Sequence, residues 1–316
     1  MGMDKVFKTI DEQVDILRSK GLVINDENYT KVTLLRENYF FLNGYRHVFM
    51  IYGNEKKFIP GTTFDELYSL FQFDRQFRNI IFKNILIVEN NYKSIFSYNI
   101  SKNYGYKEQD YLNPRNFDKS KHKQINDLIR KMKRQIRING RQHEATSHYI
   151  NNYGYVPLWV GVKVLSFGIM SELFSILKEE DKRSISDIYG IDSDSFSNYL
   201  SILSNYRNLC AHEDILFNHY TQKSIKDTKY HSLLGIGKVD NEYVDGKNDI
   251  FALIIILKNM LTKDDFKMMM NEIIYEIDIL SSKLKSIKID RILMEMGFSE
   301  NYKNIMYEEK ENVYEK

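Results

Sequence analysis

Between Thr63 and about Asn103 the chain runs without a single proline or glycine, and its apolar residues keep helical time throughout. Phe73, Phe77, Ile80, Ile81, Ile85, Val88, Tyr92, Ile95 and Phe96 recur at spacings of three and four, which places them on one stripe of a helix. Thr63 followed by Glu66 is a capping box, so the start of this helix is written into the chain as well. Proline occurs only at Pro60, Pro114 and Pro157, outside every periodic stretch. A helix this long must be covered by other helices, and the pattern therefore predicts a mainly α, multi-helix bundle.

The flanking segments fill in that bundle. Thr9 to Glu12 reads as a cap opening a helix that runs through Leu17 and stops at Gly21. Asn28 to Phe41 predicts a second helix, ended by Asn43-Gly44, and Ile51 to Pro60 a polar loop or hairpin. Pro157 opens an element running through Lys163, Phe167 and Leu173 to Leu177, and Ile185 to Ile188 is a short piece ended by Gly190. Asp192 to His212 predicts a helix, Lys223 to Asn248 a loop or small hairpin, and Ile250 to Leu261 and Phe266 to Ile287 two closing helices. No repeat or Pro/Ser-rich linker divides the chain. The expected organisation is a helical N-terminal lobe over 1–62, a bundle over 63–290, and a tail over 291–316 whose last residues, Tyr307 to Lys316, fray.

Composition excludes several classes. One cysteine, Cys210, rules out an internal disulfide and a cysteine-rich zinc site. Met1 to Ile10 lacks the apolar run of a secretory signal, and Ile250 to Leu257 is too short to span a bilayer, so a cytoplasmic protein without membrane contact is expected. No His-Glu-x-x-His, P-loop or Gly-x-Gly-x-x-Gly is present, and Gly235-Ile236-Gly237-Lys238 lacks the spacing to cradle phosphate. His47, His122, His143, His148, His219 and His231 show no metal-ligand spacing, and no cofactor is expected.

A net charge of +2 does not by itself call for nucleic acid. Residues Arg115 to Arg141, however, hold ten basic side chains against Asp118 and Asp127. A surplus this dense is either a solvated helix face or a surface that releases counterions from phosphates. Lys121, Lys123, Arg130, Lys131, Lys133, Arg134, Arg137 and Arg141 are the candidate RNA-binding residues. The 23 tyrosines also admit two readings, as amphipathic packing residues or as platforms on which bases stack.

The candidate chemistry sits in Ser204-Asn205-Tyr206-Arg207-Asn208-Leu209-Cys210-Ala211-His212-Glu213. Asn208 and His212 are four apart and share a helix face, and Asn205 joins that stripe. Arg207 lies about a quarter-turn off with a side chain long enough to swing back, while Leu203, Tyr206 and Cys210 point the other way and pack. Cleaving RNA without a metal needs a base for the 2′-hydroxyl, an acid for the leaving 5′-oxygen and a cation at the phosphate. Histidine suits the first two roles and arginine the third. One histidine does not serve both sides of the phosphorus, so a second copy of the chain is demanded. Arg137 with His143, and Arg141 with His148, repeat the spacing loosely inside the basic run, where such matches are cheap. Asp74-Arg75 and Arg78-Asn79 lie on the long helix, where an intrahelical ion pair is the expected use.

The Arg207–His212 block resembles the Arg-x(4–6)-His signature of the HEPN superfamily, including the asparagine after the arginine. Beyond it, Thr9-Ile10-Asp11-Glu12-Gln13-Val14-Asp15-Ile16-Leu17, Asn38 to Tyr45, Phe64-Asp65-Glu66-Leu67-Tyr68, Phe73-Asp74-Arg75, Pro157-Leu158-Trp159-Val160 and Val164 to Gly168 resemble abortive-infection proteins of the AbiD/AbiF type, over residues 9 to 285. Tyr39-Phe40-Phe41 departs from that family, whose members often carry a Tyr-Arg pair there. The resemblance implies a HEPN-type bundle and a metal-independent endoribonuclease of bacterial phage defence, working as a homodimer. It implies Arg207 and His212 as catalytic with Asn208 orienting, and a structured small RNA as a partner of some relatives. A non-catalytic module that binds such an RNA is the alternative, as is a structural role for Arg207 and His212 at a dimer interface.

Overall fold

The computed structural model describes residues 6–310, and the chain is mainly helical. The N-terminal part carries α1 (Ile10–Ser19), α2 (Glu27–Glu37) and α3 (Tyr39–Gly44), followed by a hairpin of β1 (Met50–Ile51) and β2 (Asn54–Phe58). Thr9 caps α1 by a capping box, as its sequence predicts. The helix expected over Asn28 to Phe41 is two helices instead. Asn38 adopts φ 68°, in the left-handed region that asparagine tolerates better than most residues. Its side chain then accepts from the Phe40 amide and starts α3.

Next comes α4 (Phe64–Tyr104), a single helix of 41 residues opened by the Thr63–Glu66 capping box. Glu66 also accepts from the amides of Lys285 and Ser286 at 2.7 and 2.6 Å, so the cap ties the start of α4 to the far end of the chain. The middle of the molecule holds α5 (Glu108–Tyr111), α6 (His122–Gly140), α7 (Glu144–Tyr153), α8 (Leu158–Val164), α9 (Phe167–Ile176) and α10 (Glu179–Ser186). The element expected to run unbroken from Pro157 to Leu177 is α8 plus α9. Leu165 turns to an extended conformation, and the Ser166 hydroxyl accepts from the Ile169 amide to start the second helix.

The remaining elements are α11 (Ser193–Ala211), α12 (Lys229–Leu233), a hairpin of β3 (Lys238–Val239) and β4 (Glu242–Tyr243), α13 (Ile250–Met260), α14 (Lys263–Lys283) and α15 (Ile289–Glu295). Every residue of α13 is buried, which makes it the innermost helix. The long α4 packs along α14, α11 and α8, and its apolar stripe, Phe77, Ile81, Ile85, Val88 and Tyr92, is fully enclosed. Ile292, Met296 and Ile305, in the segment read as a tail, are enclosed too. Of the end expected to fray, Glu309 and Lys310 dock through their carbonyls on Tyr230 and Lys229; residues 311–316 lie outside the described residues. Among the described residues no helix is long and apolar enough to cross a membrane.

Candidate active site

Helix α11 is held by both ends of its own sequence. Asp192 caps it, accepting from the Ser195 amide at 3.0 Å. Phe196, Leu200, Leu203 and Tyr206 are buried along one stripe, and the Tyr206 hydroxyl donates to the Asp249 carbonyl at 3.1 Å. With Tyr206 and Cys210 locked inward, Asn208 and His212 emerge on the opposite side, and both are exposed. The helix ends at Ala211. His212 is the residue just past it, its amide donating to the Asn208 carbonyl at 3.0 Å, and Glu213 turns the chain away at φ 57°.

That turn is anchored from far away in sequence. Asp74 of α4, fully buried, accepts from the Tyr45 hydroxyl at 2.7 Å, from Arg78, and from the amides of Leu216 and Phe217 at 3.1 and 2.8 Å. Arg78 in turn donates to the Asp214 carbonyl at 3.2 Å. Burial pushes the Asp74 carboxyl up, against the pull of Arg78 and the donors around it. Asp74 and Arg78 thus form the intrahelical pair expected of this stretch, and they also fix the path of the chain from Asp214 to Phe217, just beyond His212. Arg75 turns outward instead, to Glu37 at 2.6 Å. Gly44 completes the anchor, since a Cβ there would stand 2.5 Å from the end of Ile215.

Arg207 points toward α4 rather than along the Asn208–His212 face. Its guanidinium lies 5.6 Å above the Phe82 ring, and its Nε is 3.7 Å from Glu89 Oε2. That is an ion-pair distance, too long for a hydrogen bond, and both buried atoms have no hydrogen-bond partner among the described residues. Glu89 Oε1 is taken by Lys93 at 2.6 Å, and Lys93 also donates to the Leu165 carbonyl at 2.8 Å. Lys93 balances the Glu89 charge, and the remaining oxygen aims the inner edge of the guanidinium. The Arg207 side chain stays 34% exposed, so its planar guanidinium, a shape that suits phosphate oxygens, is partly open to solvent.

Asn205 does not join His212. Its amide oxygen meets His219 Nε2 at 2.9 Å, and burial pushes that imidazole below its ordinary range. His143 and His148, the loose partners of Arg137 and Arg141, are structural. His143 caps α7 through Thr146, and His148 packs against Tyr149 and Tyr153. His231 is enclosed, with Nε2 at 2.9 Å from the Gly246 carbonyl.

The basic run forms α6 and the turns before it. Ile125, Leu128, Ile129, Met132 and Ile136 face inward. Lys123, Lys133, Arg134, Arg137 and Arg141 are exposed. Lys121 is spent on the Ser175 carbonyl at 2.6 Å, Arg130 on Asp127 and Lys131 on Glu172. Gln135 and Asn139 bond the backbone of Ser166 and Val164, on either side of the carbonyl that holds Lys93. A continuous chain of polar contacts therefore runs from Arg207 through Glu89, Lys93 and the 164–166 corner to α6.

The residues that sequence reasoning left out are Tyr45, Glu89 and Lys93. Their signal was present: Glu89 and Lys93, four apart, sit in phase with the buried stripe of α4, where an ionisable pair has no solvent to meet.

A sequence model of the family described as Abi-like protein matches residues 32–218, more than half of the chain. The match takes in Asp74, Arg78, Glu89, Lys93, Arg207 and His212 together. No curated protein and no solved structure matches.

Proposed function

Because this chain belongs to the Abi-like protein family, we propose that it is an endoribonuclease of bacterial phage defence whose site, of the HEPN kind, is assembled from two copies. The observation that carries this reading is the setting of Arg207: a partly exposed guanidinium paired at 3.7 Å with the buried Glu89, on the helix whose end carries the exposed His212.

In the reaction, one His212 takes the proton of the 2′-hydroxyl as its oxygen attacks the adjacent phosphorus. The bond to the 5′-oxygen breaks, and that oxygen receives a proton from the His212 of the second copy. Arg207 holds the non-bridging oxygens as charge builds on them. Asn208 orients the imidazole from four residues before it on the same face, where its exposed side-chain amide is the third polar group of the half-site, and its backbone carbonyl closes the last helical turn on the His212 amide. The exposed cations of α6 carry RNA, as substrate or as a small regulatory strand.

An apolar patch beside the half-site supports the dimer. Leu35, Phe40 and Phe41 are 73, 74 and 56% exposed on α2 and α3. Glu37, between them in sequence, is bonded to Arg75, which also senses the charge of Glu213. Aromatic side chains this open fit burial against another protein surface.

The chemistry leaves a signature. Purified protein incubated with RNA in excess EDTA is expected to give fragments ending in 2′,3′-cyclic phosphate and 5′-hydroxyl groups, read by end-specific ligation. Fragments with 5′-phosphates, or cleavage that EDTA stops, would refute the mechanism; RNA retained without cleavage under any condition would favour a binding module.

A further inference from the structure

Behind the half-site, α4 and α8 border an open cleft of about 520 Å³ lined by Tyr98, Lys102, Tyr106 and Trp159 over a floor of serines. Its aromatic side chains are held apart from the core: Tyr98 is 67% exposed, Trp159 46% and Tyr106 41%. They are nevertheless ordered against one another. Tyr106 lies 5.6 Å from Trp159 at 35° and 5.8 Å from Tyr155 at 55°, and the Lys107 ammonium stands 5.2 Å above the Tyr155 ring.

The side chains nearest the aromatic faces include three lysines, Lys102, Lys107 and Lys163, with Asp110 at the edge beside Gly105. Lys102 is the charged residue that lines it, and no carboxylate does. Lys163 follows Trp159 by one turn of α8 and reaches across to Asn90 at 3.3 Å. Asn90 is the neighbour of Glu89, the residue that steers Arg207. Along α4, Ser97, which lines the cleft, lies eight residues beyond Glu89, about 12 Å at the rise of a helix. Lys163 thus stands between Asn90, the neighbour of Glu89, and Trp159 of the cleft.

We propose that this cleft is a stacking platform for unpaired RNA bases, placed a few nucleotides along the strand from the scissile phosphate, with Lys163 holding a phosphate between. The proposal rests on the ribonuclease reading and adds the substrate class: single-stranded RNA, whose bases are free to turn onto aromatic faces, rather than a duplex. A second protein copy would be an occupant of different chemistry, and the lysines set among the aromatic faces, Lys102 in the cleft with Lys107 and Lys163 beside it, favour a polyanion.

Trp159 is the chain's single tryptophan, so its emission reports on this cleft alone. The test uses full-length His212→Ala, which keeps Arg207, titrated with single-stranded oligouridylate, the same strand with abasic positions, and a blunt RNA duplex. Binding is followed by anisotropy of the labelled strand alongside Trp159 emission. The expected result is binding of the single strand with a saturable change in emission, weaker binding of the abasic strand, and no emission change with duplex. Tyr106→Ala should weaken single-strand affinity by roughly tenfold, the scale of one lost base stack. Single strand bound and cut by the wild type with unchanged emission would overturn the platform and leave the ribonuclease reading standing. Emission that shifts with protein concentration in the absence of RNA would overturn it in favour of a second copy. No binding and no cleavage of any strand would remove both.

Discussion

Alanine at both Arg207 and His212 is expected to abolish RNA cleavage while leaving the chain folded and still able to bind RNA. Removing a general acid–base group costs roughly 10²–10⁴ in rate, and removing a donor to developing charge roughly 10²–10³. The two losses should not multiply, because each group is useless without the other. His212→Ala and Arg207→Ala are therefore expected to resemble the double variant. Folding should be spared for a structural reason: Asn208 and His212 are exposed, and Arg207 contributes one long ion pair and a contact with the Phe82 ring, while Tyr206, Leu203 and Cys210 hold the helix in place. The measurement is single-turnover cleavage with thermal denaturation of each variant. Unchanged cleavage would end the catalytic assignment. A large fall in melting temperature with cleavage retained would mean that Arg207 and His212 serve packing instead.

The largest effect on stability is expected at Asp74. Four donors converge on this carboxylate, and Arg78 beside it has 4% of its side chain exposed. Asp74→Asn keeps the shape but leaves a buried guanidinium without its counter-ion, a change that costs about 3–5 kcal/mol. Against a total stability of roughly 5–15 kcal/mol, that is a large fraction of the whole. Urea denaturation should show the midpoint fall accordingly, and Asp74→Asn/Arg78→Met, which removes both charges, should recover much of it. A loss below about 1 kcal/mol for Asp74→Asn would show that the pair is not the anchor described. Because the same carboxylate fixes Leu216 and Phe217, the folded fraction of Asp74→Asn should also cleave more slowly, through a misplaced His212.

These two predictions mark what the sequence reveals and what it hides. The starts of α4 and α11 are local matters, set by Thr63 with Glu66 and by Asp192, and are legible residue by residue. The inward set of α11, Leu203, Tyr206 and Cys210, follows from periodicity alone. The breaks at Asn38 and at Leu165–Ser166 escape that logic, because the apolar rhythm continues on both sides and no proline or glycine marks the turn. The site divides in the same way. That Asn208 and His212 share an exposed helix face is visible in their spacing. That His212 stands just past the helix is not, since Glu213 adopts a backbone conformation rare for its type, and the turn is held by Asp74 from 142 residues away. The direction of Arg207 is likewise set by Glu89 on another helix, and its companion Asn205 is drawn off by His219.

The central claim is that one chain carries half a site, and mixing tests it most directly. Wild-type chains are co-expressed with an excess of the Arg207→Ala/His212→Ala variant on a separate tag, and cleavage is measured against the wild-type fraction. If a working site needs both copies, activity follows the square of that fraction, and one wild-type chain in ten leaves about one per cent of full activity. Activity that falls only in proportion, to about ten per cent at the same ratio, would show that each chain cuts RNA alone and would contradict the composite site.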